Sequence, residues 1–118
     1  MIKLKKVPID FTVTAGGAYT AEIPMTQGFL YKVFYRAGTL DTGVDITLTS
    51  KDTSETLFAL TNAGTSNLTK YPRTLQHLNT DGTALTTHDA PLLDGPVNIT
   101  VAQGGNATSG GIVLYVLQ

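Results

Sequence analysis

The chain has no cysteine and no tryptophan. Without cysteine there is no disulfide framework, no thiolate metal site and no cysteine nucleophile, and synthesis in a reducing compartment is expected. Charge is scarce: 14% of residues are ionic, the formal net charge is −1, and Lys3, Lys5 and Lys6 form the one basic cluster along the chain. A nucleic-acid binder ordinarily carries a basic field or stripe, so no nucleic-acid partner is expected. Long hydrophobic runs are missing as well. The opening Met1-Ile2-Lys3-Leu4-Lys5-Lys6 leads into Val7-Pro8-Ile9-Asp10, so neither a signal peptide nor a membrane partner is expected. No segment sustains apolar spacings of three and four, which excludes a helical bundle.

What the chain does have is threonine, 20 residues against four serines among 118. Threonine is β-branched, suits a pleated surface and presents a hydroxyl to water. Neutral hydroxyls also cost less to bury against another protein than charges do. In the last third, Val97, Ile99 and Val101 alternate with Asn98, Thr100 and Ala102, the period of a half-buried strand. Residues 112–117 are apolar on both faces and predict a central strand covered from two sides. Between them lies the loop Gln103-Gly104-Gly105-Asn106-Ala107-Thr108-Ser109-Gly110.

Earlier segments follow the same grammar. Residues 2–14 predict one long strand or two short ones. Pro8 removes a backbone donor, which marks an edge strand or a bulge. Apolar parity changes there, from Ile2 and Leu4 to Val7, Ile9, Phe11 and Val13, as an inserted bulge or a crossing between sheets would produce. Residues 18–24 form a second strand, and Gln27-Gly28 interrupts the chain before a third at 29–36, in which Phe29, Tyr31, Val33 and Tyr35 share one face. Residues 44–49 and 55–60 predict a hairpin across the polar turn 50–54.

The stretch 61–95 is an irregular excursion rich in breakers, including Asn62-Ala63-Gly64, Tyr71-Pro72-Arg73, Asp81-Gly82 and Asp94-Gly95-Pro96. Within it, 74–79 and 83–87 can pair around Thr80-Asp81-Gly82. Long excursions usually carry function, so this one is the expected partner surface. The expected fold is therefore all-β: an antiparallel β-sandwich, jelly-roll-like, of seven to nine strands in a single domain spanning 1–118. The predicted core comprises Phe11, Phe29 and Val33, then Ile46, Leu48 and Leu57, then Ile99, Val101, Ile112, Leu114 and Val116.

Catalytic patterns are absent. His77 and His88, the latter beside Asp89, lack metal-site spacing and a third ligand. Asp41-Thr42-Gly43-Val44-Asp45 lacks the acidic density and closing glutamate of a calcium loop, and an Asx turn accounts for it. Gly104-Gly105-Asn106 joins strand to strand, whereas a phosphate loop needs a following helix. Ser66, His88 and Asp89 lack the Gly-x-Ser-x-Gly elbow of a hydrolase. Three Asn-x-Thr sites, at Asn67, Asn98 and Asn106, are expected by chance in so threonine-rich a chain. No enzymatic activity, cofactor or metal is expected. Tyr19, Tyr31, Tyr35, Tyr71 and Tyr115 are candidates for a sugar-stacking face, with core packing as the plainer role. Lys3, Lys5 and Lys6 either protect an edge strand or steer docking onto an acidic partner.

Three runs carry a resemblance: Gly38-Thr39-Leu40-Asp41-Thr42-Gly43-Val44-Asp45-Ile46-Thr47-Leu48-Thr49; then Leu60-Thr61-Asn62-Ala63-Gly64-Thr65-Ser66-Asn67 with Tyr71-Pro72-Arg73; then residues 97–116 with their glycine-rich loop. In that order they resemble a family of small all-β structural proteins encoded among the head and virion genes of tailed bacteriophages, over residues 38–117. The resemblance implies a virion component made in the host bacterial cytoplasm, and it transfers no functional residue. Joined to the composition, it leads to the expectation of a capsid decoration (cement) protein, a homo-oligomer with a trimer favoured, seated on the major capsid protein or another virion protein. A neck, tail or head-fibre component and a carbohydrate-binding module on the particle surface are the alternatives. The expected partner-binding residues are Lys3, Lys5, Lys6, Tyr71, Arg73, Gln76, His77 and His88.

Overall fold

The alternating segments do form strands. The computed structural model describes the backbone of residues 3–77 and 84–118, and their side chains except at 25, 26, 74–77 and 84–88. The strands are β1 Leu4–Thr12, β2 Tyr19–Arg36, β3 Asp45–Ser50, β4 Thr56–Leu60, β5 Leu68–Lys70, β6 Thr74–His77, β7 Ala84–Asp89, β8 Leu92–Ala102 and β9 Ser109–Leu117. Among the described residues, hydrogen bonding runs β1-β9-β2-β8-β3-β4, with β5 also on β2, while β6 and β7 form a separate pair. Every pairing is antiparallel.

The 18-residue β2 explains how one hydrogen-bonded path becomes two layers. A straight strand of that length would span roughly 60 Å. The longest dimension of the molecule is 47 Å, so β2 must bend. Its first half pairs with β8, from Tyr19↔Val101 to Phe29↔Leu92. Its second half pairs with β9, from Phe29↔Leu117 to Arg36↔Gly111, and with β5 on the other side. The bend falls where the β8 register shifts between Ile23 and Thr26 and where Gly28 adopts φ 129°. Pro24 lies in the same stretch. The short connection between β8 and β9 then brings both ends of β2 to one end of the molecule. There Gly104 N–H donates to the Gly17 carbonyl and Thr39 N–H to that of Ser109.

Two layers result, β1-β9-β2-β5 and β2-β8-β3-β4, and the Phe11 and Tyr19 rings stack between them at 5.3 Å. The connections β1–β2, β2–β3, β4–β5 and β8–β9 cross between layers, as in a jelly roll, while β3–β4 is a hairpin within one layer and β6–β7 a separate ribbon. A single core cluster draws on both, with Val33, Ile112 and Leu114 from the first and Ile46, Leu48 and Ile99 from the second among its fully buried members. The loops 13–18, 37–44, 61–67 and 103–108 gather at one end. Lys3 and Gln118, the β2 bend, the turn 51–55 and residues 71–73 and 89–91 occupy the other.

Several expectations change. The strands expected at 18–24 and 29–36 are one bent strand. Part of the stretch 61–95 belongs to the sandwich, because Leu68–Lys70 pairs with β2 and 92–95 open β8. Phe29 is not core: it is 46% exposed. Register with β9 shifts between Leu30 and Lys32, so Tyr31 is an extra residue. Leu30 and Val33 turn inward across that bulge, leaving Phe29 and Tyr31 outside while Tyr35 stays buried. The face expected to hold all four is thereby split.

No bulge or crossing marks Pro8. The β1–β9 register runs unbroken from Leu4↔Leu117 to Thr12↔Ser109, and Leu4 is simply an outward residue. Lys3 and Gln118 exchange both backbone hydrogen bonds. Alternation along an antiparallel ladder then places Pro8 in a non-bonded pair, with its nitrogen toward the open edge, where a missing N–H costs no ladder bond. β1 is an edge strand, as the proline predicts, and it pairs with its own chain. The predicted hairpin 44–49/55–60 is present as β3–β4, and of the predicted pair 74–79/83–87 the described residues pair as β6–β7, while 78–83, with the expected turn Thr80-Asp81-Gly82, lie outside the described residues. β9 is central in its layer, but its outer face is half-buried rather than covered by a second layer.

Tyr35 ties the layers to the loop end. Its buried hydroxyl donates to the Gly64 carbonyl at 2.8 Å, and burial raises its pKa above the ordinary tyrosine value. A raised pKa favours the fold while the phenol is protonated, so this contribution declines as pH rises past about 10. Tyr35→Phe is expected to cost about 1 kcal/mol near neutrality and to flatten the alkaline fall in stability. Urea midpoints between about pH 8 and 11 test both.

Candidate interaction surface

At the end that carries the termini, sequence register builds an apolar row across four strands: Leu4↔Leu117, Leu117↔Phe29 and Phe29↔Leu92 are all direct partners. Leu4, Phe29 and Leu92 are about half exposed. With strands about 4.8 Å apart, the row runs for roughly 14 Å. Tyr31 and Tyr71 extend it, meeting edge to face at 6.0 Å, and both are exposed. The Arg73 guanidinium lies over the Tyr31 ring at 4.9 Å and donates to the Tyr31 and Pro72 carbonyls. An open cleft of about 350 Å³ follows, lined by Phe29, Tyr31, Arg73, Asp89, Ala90 and Leu117.

One row further up the layer, Lys6 and Lys32 both pack over Tyr115, at 5.5 and 4.3 Å from the ring centroid. These lysine stems shelter the outer face of β9, which is how an aromatic ring sits on a solvent-facing strand. Arg36 and Asp10 form an ion pair across the same face. It spans Gly111, where a Cβ would meet both side chains.

Of the expected partner-binding residues, Lys6, Tyr71 and Arg73 lie on the outer side of this layer or at its terminal end, while Lys5, the partner of buried Val116, and Lys3 alternate to the other side of β1. Gln76, His77 and His88 lie apart on the β6–β7 ribbon. His88 opposes Leu75 and His77 opposes Ala84, so the histidines do not face one another in register. Their side chains, and that of Gln76, lie outside the described residues. Among the described residues no group of three His, Cys, Asp or Glu side chains is placed to hold a metal. Sequence reasoning missed Leu4, Phe29, Lys32 and Leu92, and named Tyr31 only as a candidate for sugar stacking. The available signal was residues 29–35, which are too apolar on both parities for a strand with one wet face.

Lys32, Arg36, Lys70 and Arg73 lie far from Lys3, Lys5 and Lys6 in sequence, and pairing of β1, β9, β2 and β5 brings them to one layer. They do not share one face: Lys6 and Lys32 flank Tyr115 on the outside, whereas Lys5 and Lys70 are partners of the buried Val116 and Val33.

No protein-family model matches the chain, and no curated protein matches it. Among solved structures, one from the Bacillus endospore appendages, described as disulfide-linked pili, aligns over 98% of this chain and 86% of its own. That likeness has 17% identity and a TM-score of 0.40. The carbohydrate-binding module TmCBM61, in complex with β-1,4-galactotriose, aligns over 100% of this chain and 86% of its own, with 15% identity and a TM-score of 0.28. Neither likeness bears on what this chain binds. The chain is an all-β protein built as an antiparallel jelly-roll sandwich.

Proposed function

We propose that this chain is a non-enzymatic structural protein of a tailed-phage particle, a capsid decoration protein that seats its terminal end on the head shell. The observation that carries the reading is the exposed row Leu4–Leu117–Phe29–Leu92 with Tyr31 and Tyr71 beside it. Contiguous apolar surface of this kind marks an interaction site, and aromatic residues are enriched at the centres of protein interfaces. The phage resemblance of residues 38–117 supplies the kind of partner. Quantitative mass spectrometry of purified particles tests it. Copy numbers of the same order as the major capsid protein are expected. A small fraction of that number would place the chain in the neck, tail or a fibre, and its absence would remove it from the virion.

A second reading, a carbohydrate-binding module, is favoured by the cleft beside Tyr31. There Arg73 supplies a donor and Asp89 an acceptor against apolar Phe29, Leu117 and Ala90. Binding on a glycan array that Tyr71→Ala abolishes would support it.

A further inference from the structure

The net charge of −1 conceals a separation of sign between the two layers. Every lysine and arginine except Lys51 belongs to the β1-β9-β2-β5 layer or its immediate ends, where Asp10 and Asp89 (the latter in the cleft with Arg73) are the carboxylates among the described residues. Lys6, Lys32 and Arg36 are the cations on the outer side of its strands. The β2-β8-β3-β4 layer carries Glu22, Asp45 and Asp94 on its strands and Asp52 and Glu55 in its hairpin turn. The two ion pairs among the described residues stay within a layer: Arg36 with Asp10, and Lys51 with Glu22. Pairing with Glu22 raises the Lys51 pKa. Neither pair offsets the separation.

The surfaces under these charges also differ. The outer face of the acidic layer is ruled into rows in which threonine predominates. Thr20, Thr100 and Thr47 are partners across three strands, and beside them run Glu22, Asn98, Thr49 and Thr56. The outer face of the basic layer centres on Tyr115 under Lys6 and Lys32. One face therefore offers methyls and hydroxyls bordered by carboxylates. The other offers an aromatic and aliphatic centre bordered by ammonium groups. Threonine hydroxyls cost less to bury than charges, and opposite potentials set the register of a docked pair.

We infer that the basic face of one copy docks on the acidic face of a second copy of this chain. A copy is favoured over other acidic partners because a surface of the complementary charge sign is carried by the same molecule. The contact is head-to-tail. It uses two different patches, and because they lie on opposite sides of one sandwich each docked copy offers the next a free face. The inference does not depend on which particle the chain serves.

Sedimentation velocity over a concentration series tests it, with wild type, the basic-face variant Lys6→Glu/Lys32→Glu and the acidic-face variant Glu22→Lys/Asp94→Lys. All four side chains are on the surface, and far-UV circular dichroism checks that each variant is folded. The neutral pair Lys6→Gln/Lys32→Gln stands in if a reversal misfolds. Wild type is expected to associate at about 50 mM salt and to weaken at least about tenfold at about 0.5 M, where charges are screened beyond a few ångströms. Each reversal variant alone is expected to stay monomeric, because its two faces now carry the same sign. An equimolar mixture of the two is expected to associate again. Wild type monomeric at low salt, association unaffected by salt or charge reversal, or no rescue on mixing would each overturn the inference. Particle binding measured on the same variants keeps this outcome separate from the proposed function.

Discussion

Gly28→Ala is expected to lower the thermal midpoint by roughly 10 °C or more, at about 4 °C per kcal/mol for a domain of this size. Gly28 holds φ 129°, and a Cβ there would run into the Leu117 carbonyl of the neighbouring strand. Strained backbone of this kind costs an L residue about 1–3 kcal/mol before any clash. The obstacle here is backbone, which cannot swing aside as a flexible side chain would. The site also sits where β2 leaves one layer for the other, so relief by local movement would disturb pairing with both β8 and β9. Gly64→Ala is the matched control: φ is 87° with open space around the would-be Cβ. It should cost only the strain, about 1 kcal/mol. Calorimetry of the two variants separates the effects, and equal midpoints would show that the β2 bend does not depend on Gly28.

The double variant Tyr31→Ala/Tyr71→Ala is expected to weaken attachment to particles about 100-fold or more while leaving the fold intact. Two central aromatics worth about 2 kcal/mol each would carry such a loss, at 1.4 kcal/mol per factor of ten. Removing the Tyr31 ring also frees the Arg73 guanidinium from its stacking position. The fold should persist because both tyrosines are exposed and neither belongs to the core cluster. Co-sedimentation with particles stripped of this protein measures the effect. Unchanged attachment would move the docking surface away from this end, and glycan binding lost with attachment intact would favour the carbohydrate reading.

How much of this was legible in the sequence depends on the range of the interactions involved. Strand period, the hairpin of β3 and β4, the edge position marked by Pro8 and the central position of β9 are local or composition-borne, and each could be read from neighbouring residues. Phe29 shows where local reading fails. Its parity matched a buried face, but a single extra residue at Tyr31, accommodated against β9 far along the chain, reversed the direction of what precedes it. Leu4 fails in the same way: the parity change pointed to a bulge, and the partner strand keeps an unbroken register. The candidate surface depended on both residues, so it was less legible than the fold.

By itself, the sequence determined that this protein is an antiparallel β-sandwich without cysteine chemistry, because alternation, turn residues and composition act within a few residues of chain. Only the tertiary structure decided that β2 is one strand shared by two layers, that Leu4, Leu117, Phe29 and Leu92 form a row, and that nearly all the cations share one layer. Each of these is a matter of which distant strands hydrogen-bond and in what register. That pairing is selected by burial of the whole core at once, and no local window of sequence contains it.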